Sequence, residues 1–392
     1  MRKQNRKKKI AFVLTTFVVG GVEKSFLDLL KYIDTEKYDI TVFLPDDRGE
    51  WTSMLKEQCR VRYLPIENYK SVIGSQLKRL LFFGVARSLF FRVLARLNYK
   101  KNYRKSTEYF IRSMPRIRER FDCAVAYQII NDECVLSTLY RINATKKVVW
   151  SHAFIHKEEH IYGDWYNKFD RIFCVSDYAK NALTVNFPFL LCKTEVFYNA
   201  LDSAHIIDFS NEPAPEITDD TLILVTVGRL SREKGQLLIP KTARLLVNAG
   251  YSFKWYLIGD GDLRDEIEAE IQKEHQENNV ILLGSRSNPY PYMKACDIYV
   301  QTSLVEGWGL TVTEAKILHK PIVTTNAGVM SEQIRTGVNG IIVPDNTPET
   351  LASAIGGLID DPGMRESFVR HLQQEDVCHQ CEIEKLYAVF EQ

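Results

Sequence analysis

Short apolar runs recur along the whole chain and alternate with segments whose apolar residues repeat every three or four positions, as Val22, Phe26, Leu30 and Ile33 do. The first pattern predicts buried β-strands and the second predicts helices. The predicted strands lie at 9–14, 39–44, 122–127, 147–150, 171–175, 222–227, 253–258, 280–283, 297–300, 321–325 and 340–343. Continuous apolar strands alternating with helices are typical of parallel sheets covered on both faces. The sequence therefore predicts an α/β fold of doubly wound sheets.

A polar segment interrupts this pattern near the middle of the chain. Residues 209–221 contain two prolines and four acidic residues but few apolar ones, and a length of 392 residues favours two domains. We therefore expect a first domain over 1–203, a linker over 204–221 and a second domain over 222–374. Because doubly wound domains bind ligands at the carboxyl ends of their strands, the loops that follow the predicted strands are the expected ligand sites.

The sequence EGWGLTVTE, from Glu306 to Glu314, follows the predicted strand at 297–300. Gly307 and Gly309 allow a tight turn and a close approach of the backbone to a ligand. A helix is expected to begin near Gly309, where its free N–H groups favour a phosphate. Glu314 falls on the apolar face of that helix, so it needs a hydrogen-bonding partner. A diol such as a ribose would serve, and so would a pair of backbone donors.

Three further constellations follow predicted strands. In VGRLSREKG, Arg229 and Lys234 could neutralise a diphosphate, although such a pair taken alone is more often surface charge. In VVGGVEKS, the backbone N–H groups of Gly20 and Gly21 could cradle a phosphate. In WSH, His152 could position a substrate hydroxyl, and a structural histidine is an equally good interpretation.

Several other classes are disfavoured. No G-x-x-x-x-G-K-[ST] loop is present, and IGDGDLRD has Arg264 where a dinucleotide fingerprint needs its third glycine. The eight cysteines are mostly single and lie in apolar runs, which fits a reducing compartment. Cys378 and Cys381 form the one close pair, and no second cluster completes a zinc site. We therefore expect no metal site.

Charge is distributed unevenly along the chain. Residues 1–200 hold 35 Lys and Arg against 21 Asp and Glu, whereas residues 201–392 hold 16 against 29. Residues 68–107 contain ten basic residues and no acidic one, interleaved with apolar residues. A helix there would place Phe83, Phe90, Leu94 and Leu97 on one face and Arg92 and Arg96 on another. This pattern favours an anionic membrane surface, and the alternative is a core helix with a solvated basic face.

Other partners and locations are less consistent with the sequence. No nucleic-acid-binding motif accompanies the basic stretch, so no nucleic-acid partner is expected. The basic N-terminus followed by an apolar run imitates a signal peptide, but a glycine turn follows where a cleavage site is needed, and a buried first strand is the preferred interpretation. No apolar run approaches the roughly 20 residues of a membrane-spanning helix.

Taken together, these motifs resemble the retaining glycosyltransferases of family 4, over nearly the whole chain and most strongly from about 222 to 345. EGWGLTVTE is similar to the E-x7-E motif of that family, and GRLSREKG to its diphosphate site. The resemblance implies the GT-B fold, with two Rossmann-like domains facing a central cleft. The first domain would bind the acceptor, with a C-terminal helix at 375–392 completing it, and the second would bind a nucleotide sugar.

The resemblance also implies roles for individual residues on the donor side. Arg229 and Lys234 would bind the diphosphate of the donor and stabilise the departing nucleotide. Glu306 would bind hydroxyls of the donor sugar, and Glu314 would hold the ribose.

Other implied roles involve the backbone, the base and the acceptor domain. The N–H groups of Gly309 and Leu310 would contact a phosphate, and LLGSRSNP, which contains Arg286, would face the base. Gly20 and Gly21 would approach the phosphate from the acceptor domain. His152 would lie near the sugar and the reacting acceptor hydroxyl.

The function implied is transfer of a hexose or N-acetylhexosamine, with retention, to a lipid-linked or polysaccharide acceptor in bacterial surface glycan synthesis. UDP-sugars are favoured over GDP-sugars as donors, with no metal and no tightly bound cofactor. The expected location is cytoplasmic, at the inner face of the cell membrane. The alternatives are a nucleotide-sugar epimerase or phosphorylase on the same fold, or a catalytically silent partner of another transferase.

Overall fold

The structure is a computed structural model that describes residues 6–18, 20–64, 82–128, 132–152, 160–217, 221–377 and 379–392. The chain divides into two compact units. The first comprises 1–200 and 380–392, and the second comprises 201–379.

A parallel sheet forms the centre of the first unit. Its strands are β1 (Lys8–Val13), β2 (Tyr38–Leu44), β3 (Arg60–Tyr63), β4 (Arg120–Ala126), β5 (Asn143–Ser151), β6 (Arg171–Cys174) and β7 (Thr194–Val196). They lie in the order β3-β2-β1-β4-β5-β6-β7. Most residues of β1 and β2 are buried, because helices cover the sheet on both faces.

The helices of this unit follow the apolar periodicity of the sequence. They are α1 (Gly21–Tyr32), α2 (Thr52–Gln58), α3 (Phe82–Asn98), α4 (Tyr103–Ser113), α5 (Asp132–Tyr140), α6 (His160–Tyr166) and α7 (Asp177–Asn186). On α1, Phe26 and Leu30 are buried, as the sequence predicts.

The second unit contains a second parallel sheet. Its strands are β8 (Leu222–Val227), β9 (Phe253–Ile258), β10 (Val280–Gly284), β11 (Ile298–Gln301), β12 (Ile322–Thr324) and β13 (Ile341–Ile342). They lie in the order β10-β9-β8-β11-β12-β13. The fold class predicted from the sequence is therefore confirmed: both units are doubly wound α/β structures.

The helices of the second unit begin within the segment expected to be a linker. They are α8 (Ser203–Phe209), α9 (Ile239–Asn248), α10 (Arg264–Lys273), α11 (Tyr290–Ala295), α12 (Leu310–Ile317), α13 (Met330–Gln333), α14 (Pro348–Asp360) and α15 (Pro362–Leu372). The last helix, α16 (Ile383–Phe390), lies in the first unit, where Tyr387 Oη donates to the carbonyl oxygen of Tyr32 at 2.8 Å. Residues 204–209 of that segment are thus helical.

The two sheets share one topological feature that locates the candidate site. In each unit the first strand of the sheet, β1 or β8, lies next to the fourth, β4 or β11. Chain connections leave this pair of strands toward opposite sides of the sheet, which opens a crevice at the carboxyl ends. The loops after β8 and β11, and those after β1 and β4, are therefore the places where each unit can bind a ligand.

The helix α3 lies differently from the expectation for the basic stretch 68–107. Arg92 is buried, with 2% of its surface exposed, so the alternative of a solvated basic face does not hold at this residue. Leu94 is half-buried, whereas Phe90 and Leu97 are exposed. The reason is that α3 packs on α4, where Ser106 Oγ donates to the carbonyl oxygen of Ala95 at 2.8 Å. Residues 68–81 lie outside the described residues, as does the side chain of Phe83.

Candidate functional site

The loops after β8 and β11 are joined by backbone contacts. Gly235 has a φ of +65°, and a Cβ on it would lie 2.1 Å from the carbonyl oxygen of Thr302. The hydroxyl of Thr302 donates to the carbonyl oxygen of Lys234 at 2.8 Å. The N–H of Leu304 donates to the carbonyl oxygen of Glu233, also at 2.8 Å. Only a glycine allows this approach. The two loops therefore hold Lys234 and the segment before Glu306 in a fixed register.

This register pairs Lys234 with Glu306. Lys234 Nζ lies 2.5 Å from Glu306 Oε1, which also accepts from Ser303 Oγ at 2.7 Å and from Gln301 Nε2 at 3.1 Å. The carboxylate is 8% exposed, so these three donors compensate for its burial. All three reach the same oxygen, and among the described residues Oε2 accepts no hydrogen bond.

Arg229 lies in the same loop as Lys234 and is exposed. Its guanidinium forms no hydrogen bond or salt bridge with any residue that the structure describes. The two cations nevertheless act on a common neighbour: burial would raise the pKa of Glu233, but a hydrogen bond from its own backbone and the charges of Lys234 and Arg229 lower it. Two cations therefore follow β8, one paired with a carboxylate and one exposed.

The N-terminus of α12 completes this edge of the sheet. Gly309 precedes the helix with a φ of +86°, and a Cβ there would lie 2.8 Å from the side chain of Met330. Gln333 Nε2 donates to the carbonyl oxygen of Trp308, which fixes the turn. The first N–H groups of a helix, beginning here with that of Leu310, have no partner within it. They are thus available to an anion.

Glu314 lies one turn further along α12. It is buried, with 3% of its surface exposed, as the apolar face of the helix predicts. The hydroxyl of Tyr290, on α11, donates to Glu314 Oε1 at 3.3 Å. A tyrosine hydroxyl is thus one of the partners that a buried carboxylate requires.

Arg286 follows β10 and is held by the segment that precedes β8. Its Nη2 lies 2.7 Å from Glu216 Oε1, and the hydroxyl of Tyr292 donates to the other oxygen of Glu216. Hydrogen bonding to Tyr292 and Glu216 raises the pKa of Arg286 above its usual value. The guanidinium is therefore fixed in place before any ligand binds.

In the first unit, the glycine pair lies at the start of α1. Gly20 is extended, and a Cβ on it would lie 2.5 Å from Glu23 Oε2, while Gly21 is exposed. The hydroxyls of Ser25, in the next turn, and of Tyr127, after β4, lie 3.1 Å apart. Tyr127 therefore ties the start of α1 to the loop after β4.

His152 follows β5 and packs on the same tyrosine. The ring centroids of His152 and Tyr127 are 4.6 Å apart, and Trp150 lies parallel to the imidazole at 6.2 Å. Burial lowers the pKa of His152 to about 3, against the opposing effect of a hydrogen bond with the backbone of Tyr127. The imidazole is thus neutral at physiological pH. Its Nε2 is buried and forms no hydrogen bond with any described residue.

Three residues that shape these sites lie outside the sequence motifs, namely Gln301, Ser303 and Tyr127. Gln301 carried a usable signal, because an amide ends an otherwise apolar strand. Within the described residues no three His, Cys, Asp or Glu side chains are grouped as metal ligands would be, and Cys378 lies outside those residues. Nor does a described helix combine the length and apolar character that a bilayer crossing needs.

The fold, and the sequence of the second unit, are similar to those of known proteins. The structure of HepE from Anabaena in complex with UDP aligns with a TM-score of 0.72 at 20% identity, covering 97% of this chain and 100% of that one. This likeness shows the GT-B fold. Residues 209–374 match the family model described as glycosyl transferases group 1. That segment contains Arg229, Lys234, Glu306 and Glu314.

Relatives with similar sequences carry transferase names. An uncharacterized glycosyltransferase of Methanocaldococcus jannaschii is 27% identical over 54% of this chain and 54% of its own length. The chain thus spans about half of that relative. The N-acetylgalactosamine-N,N'-diacetylbacillosaminyl-diphospho-undecaprenol 4-alpha-N-acetylgalactosaminyltransferase of Campylobacter jejuni is 24% identical over 92% of both chains.

Proposed function

We propose that this protein is a retaining glycosyltransferase that moves a hexose or N-acetylhexosamine from a nucleotide sugar to a lipid-linked or polysaccharide acceptor. The observation that carries the proposal is the arrangement after β8 and β11, where two cations, a buried carboxylate and a helix N-terminus lie at one edge of a sheet. A diphosphate linked to a sugar offers a matching set of groups: two anionic phosphates, and hydroxyls that donate to a carboxylate.

The two cations would bind the diphosphate in different ways. The exposed guanidinium of Arg229 can take a phosphate as a planar fork without first breaking a salt bridge. Lys234 can bridge a phosphate and Glu306 at once, because an ammonium has three donors. Both charges, together with the N–H groups at Gly309 and Leu310, would stabilise the diphosphate as it leaves. This supply of positive charge supports a mechanism without a metal ion.

The two carboxylates would recognise hydroxyls. Glu306 has Oε2 to offer to the donor sugar, because its three hydrogen bonds all reach Oε1. Glu314 would hold the ribose, for which it would share its oxygens with Tyr290. The base would meet the segment that contains Arg286, which Glu216 already orients. UDP is the favoured nucleotide, since the similar structure of HepE contains it.

The first unit would supply the acceptor side of the reaction. Gly20 and Gly21 lie at the N-terminus of a 12-residue helix, where a phosphate is favoured. His152 would contact the reacting hydroxyl as a neutral imidazole, because its pKa of about 3 excludes a cationic role at neutral pH. The name of the Campylobacter jejuni relative supports a diphospho-undecaprenol type of acceptor.

Such an acceptor would require contact with a membrane, and α3 presents a suitable surface. Leu89, Phe90, Val93 and Leu97 are all exposed along one side of the helix. Exposed basic residues follow at its end, at 96, 100, 101 and 105. Apolar side chains beside cations suit the interface of an anionic bilayer. We therefore place the protein at the inner face of the cell membrane.

The proposal is tested by incubating the purified protein with UDP-, GDP-, ADP- and CMP-sugars, with NAD as a control, and measuring binding and slow hydrolysis. We expect one UDP-sugar to be hydrolysed with retention, and Glu306→Ala to abolish this turnover. Glu277→Ala, which replaces a glutamate on the loop before β10, is the matched control and should retain it. Epimerisation of the sugar, phosphorolysis, or no binding of any donor would each contradict the proposal.

A further inference from the structure

We infer that Gln301 is a positioning residue for Glu306, and that Tyr299 and Thr311 act on Glu306 through it. The inference rests on the proposed function, in which Glu306 binds the donor sugar. It concerns a buried chain of hydrogen bonds that begins on β11, passes through the amide of Gln301 and ends on the carboxylate.

The amide of Gln301 uses all of its hydrogen-bonding capacity. Its Oε1 accepts from Tyr299 Oη at 2.8 Å and from Thr311 Oγ1 at 3.2 Å. Its Nε2 donates to Ser303 Oγ at 2.7 Å and to Glu306 Oε1 at 3.1 Å. Two acceptor sites and two N–H groups are all that a glutamine amide has. The residue is 2% exposed, so no water can replace these partners without opening the loop.

The direction of each bond follows from the partners. The hydroxyl of Ser303 donates its one proton to Glu306, so it must accept from the N–H of Gln301. The opposite end of the amide is then the oxygen, which faces the hydroxyls of Tyr299 and Thr311. Burial raises the pKa of Tyr299 well above its usual value, so its phenol remains a donor at every working pH. Every proton in this chain therefore points toward Glu306.

This chain of hydrogen bonds restrains the carboxylate of Glu306 more firmly than its salt bridge with Lys234 can. The side chain of Lys234 is 26% exposed, and a bound phosphate would share its ammonium with Glu306 and so weaken their salt bridge. Gln301 and Ser303 stay in place, because the N–H of Thr325 donates to the carbonyl oxygen of Gln301 at 2.9 Å and its hydroxyl donates to that of Ser303 at 2.5 Å. They hold Oε1 and thereby orient Oε2.

Thr311 gives the chain of hydrogen bonds a second role. It is the second residue of α12, so its bond to Gln301 links the phosphate-binding end of the helix to the carboxylate. A buried amide at the end of an apolar strand is unfavourable unless its partners compensate for it. Here two of the partners are Glu306, the proposed sugar-binding group, and Thr311, at the proposed phosphate-binding end of α12. The amide of Gln301 bonds to both and so fixes the distance between them.

The test compares the affinities for UDP and for the UDP-sugar that the protein hydrolyses, measured by calorimetry. Gln301→Met removes the amide at similar volume. We expect it to reduce the preference for the UDP-sugar over UDP by about fivefold to thirtyfold, the loss of one or two hydrogen bonds, and to leave UDP affinity within about twofold. Thr311→Val should reduce the same preference by a few-fold in the wild-type background and not at all when combined with Gln301→Met.

Thr242→Val is the control, since it removes another buried hydroxyl, on α9, that donates to the carbonyl oxygen of Leu238. If Glu306→Ala abolishes the sugar preference while Gln301→Met retains it, the inference is wrong and the proposed function stands. The inference is also wrong if Thr311→Val has the same effect in both backgrounds. If Glu306→Ala itself leaves the preference unchanged, the proposed role of Glu306 fails and the inference fails with it. Should Gln301→Met not fold, Thr311→Val together with Tyr299→Phe tests the same chain.

Discussion

Removing either partner of the Lys234–Glu306 salt bridge should destabilise the second unit to a different extent. The side chain of Lys234 is 26% exposed and that of Glu306 is 9% exposed. Lys234→Met leaves a buried carboxylate without its cation, whereas Glu306→Gln leaves a cation that can turn toward water. We therefore expect Lys234→Met to be the more destabilising change, although both remove the same salt bridge.

The magnitudes follow from burial. Breaking a fully buried pair by removing one partner costs about 3–5 kcal/mol. Here Glu306 keeps its bonds from Gln301 and Ser303, so Lys234→Met should cost about 2 kcal/mol. Glu306→Gln should cost about 1 kcal/mol or less, as an exposed pair does. For a unit of this size, 1 kcal/mol lowers the Tm by roughly 2–4 °C, which gives a decrease of about 4–8 °C for Lys234→Met.

Differential scanning calorimetry of the full chain measures both effects on the transition of the second unit. Lys241→Met is the matched control, because Lys241 forms a salt bridge of 3.0 Å with Glu349 in which both side chains are well exposed. It should leave the Tm nearly unchanged. Equal shifts for Lys234→Met and Glu306→Gln, or a shift for Lys234→Met no larger than that of the control, would refute the reasoning.

Three further predictions concern backbone geometry, protonation and membrane binding. Gly235→Ala should lower the Tm far more than Gly337→Ala, because both glycines have positive φ but only the first would place a Cβ against a carbonyl oxygen; equal shifts would contradict this. As pH falls below about 6.5, the free energy of unfolding of the wild type should decrease relative to that of His152→Asn, by at most about 1.4 kcal/mol per pH unit. The reason is that the imidazole gains a proton in the unfolded state but not in the folded state, where its pKa is about 3. Urea unfolding of both proteins across this pH range measures the difference, and parallel profiles would exclude it. Phe90→Ser with Leu97→Ser should release the protein from anionic vesicles in a flotation assay, and unchanged flotation would rule out the exposed face of α3 as the membrane contact.

The central strands of both sheets could be predicted because continuous burial leaves an unbroken apolar run. The strands that the sequence did not predict, Arg60–Tyr63 and Thr194–Val196, lie at the edges of the first sheet. Edge strands are short and often partly exposed, so they leave no continuous apolar run in the sequence. In Arg60–Tyr63 polar and apolar residues alternate, and Thr194–Val196 is only three residues long. The burial of Arg92 could not be predicted either, because periodicity within α3 does not show which of its faces packs on a neighbouring element.

In the candidate site, too, some residues could be predicted from the sequence and others could not. Arg229, Lys234 and Glu306 follow strands that are neighbours in the sheet, and their motifs are visible along the chain. The residues that orient them have no such signature. Gln301 is important because its amide bonds at once to the hydroxyls of Tyr299, Thr311 and Ser303 and to the carboxylate of Glu306. Tyr127 is important because it packs on His152, which follows another strand. Such roles depend on three-dimensional distances that spacing along a chain does not determine.

The central claim is that the loop after β8 binds the diphosphate of a nucleotide. The affinity for UDP of the wild type, Arg229→Ala and Arg232→Ala, measured by isothermal titration calorimetry, tests it most directly. Arg232 lies in the same loop, is more than four-fifths exposed and lies 4.0 Å from Glu266, so it controls for general loss of positive charge. We expect Arg229→Ala to weaken UDP binding by about tenfold to a hundredfold, as for a lost charge-assisted hydrogen bond, and Arg232→Ala to change it by less than about twofold. Equal losses for the two variants, or an affinity for UDP that Arg229→Ala leaves within about twofold of the wild type, would contradict a diphosphate site in this loop.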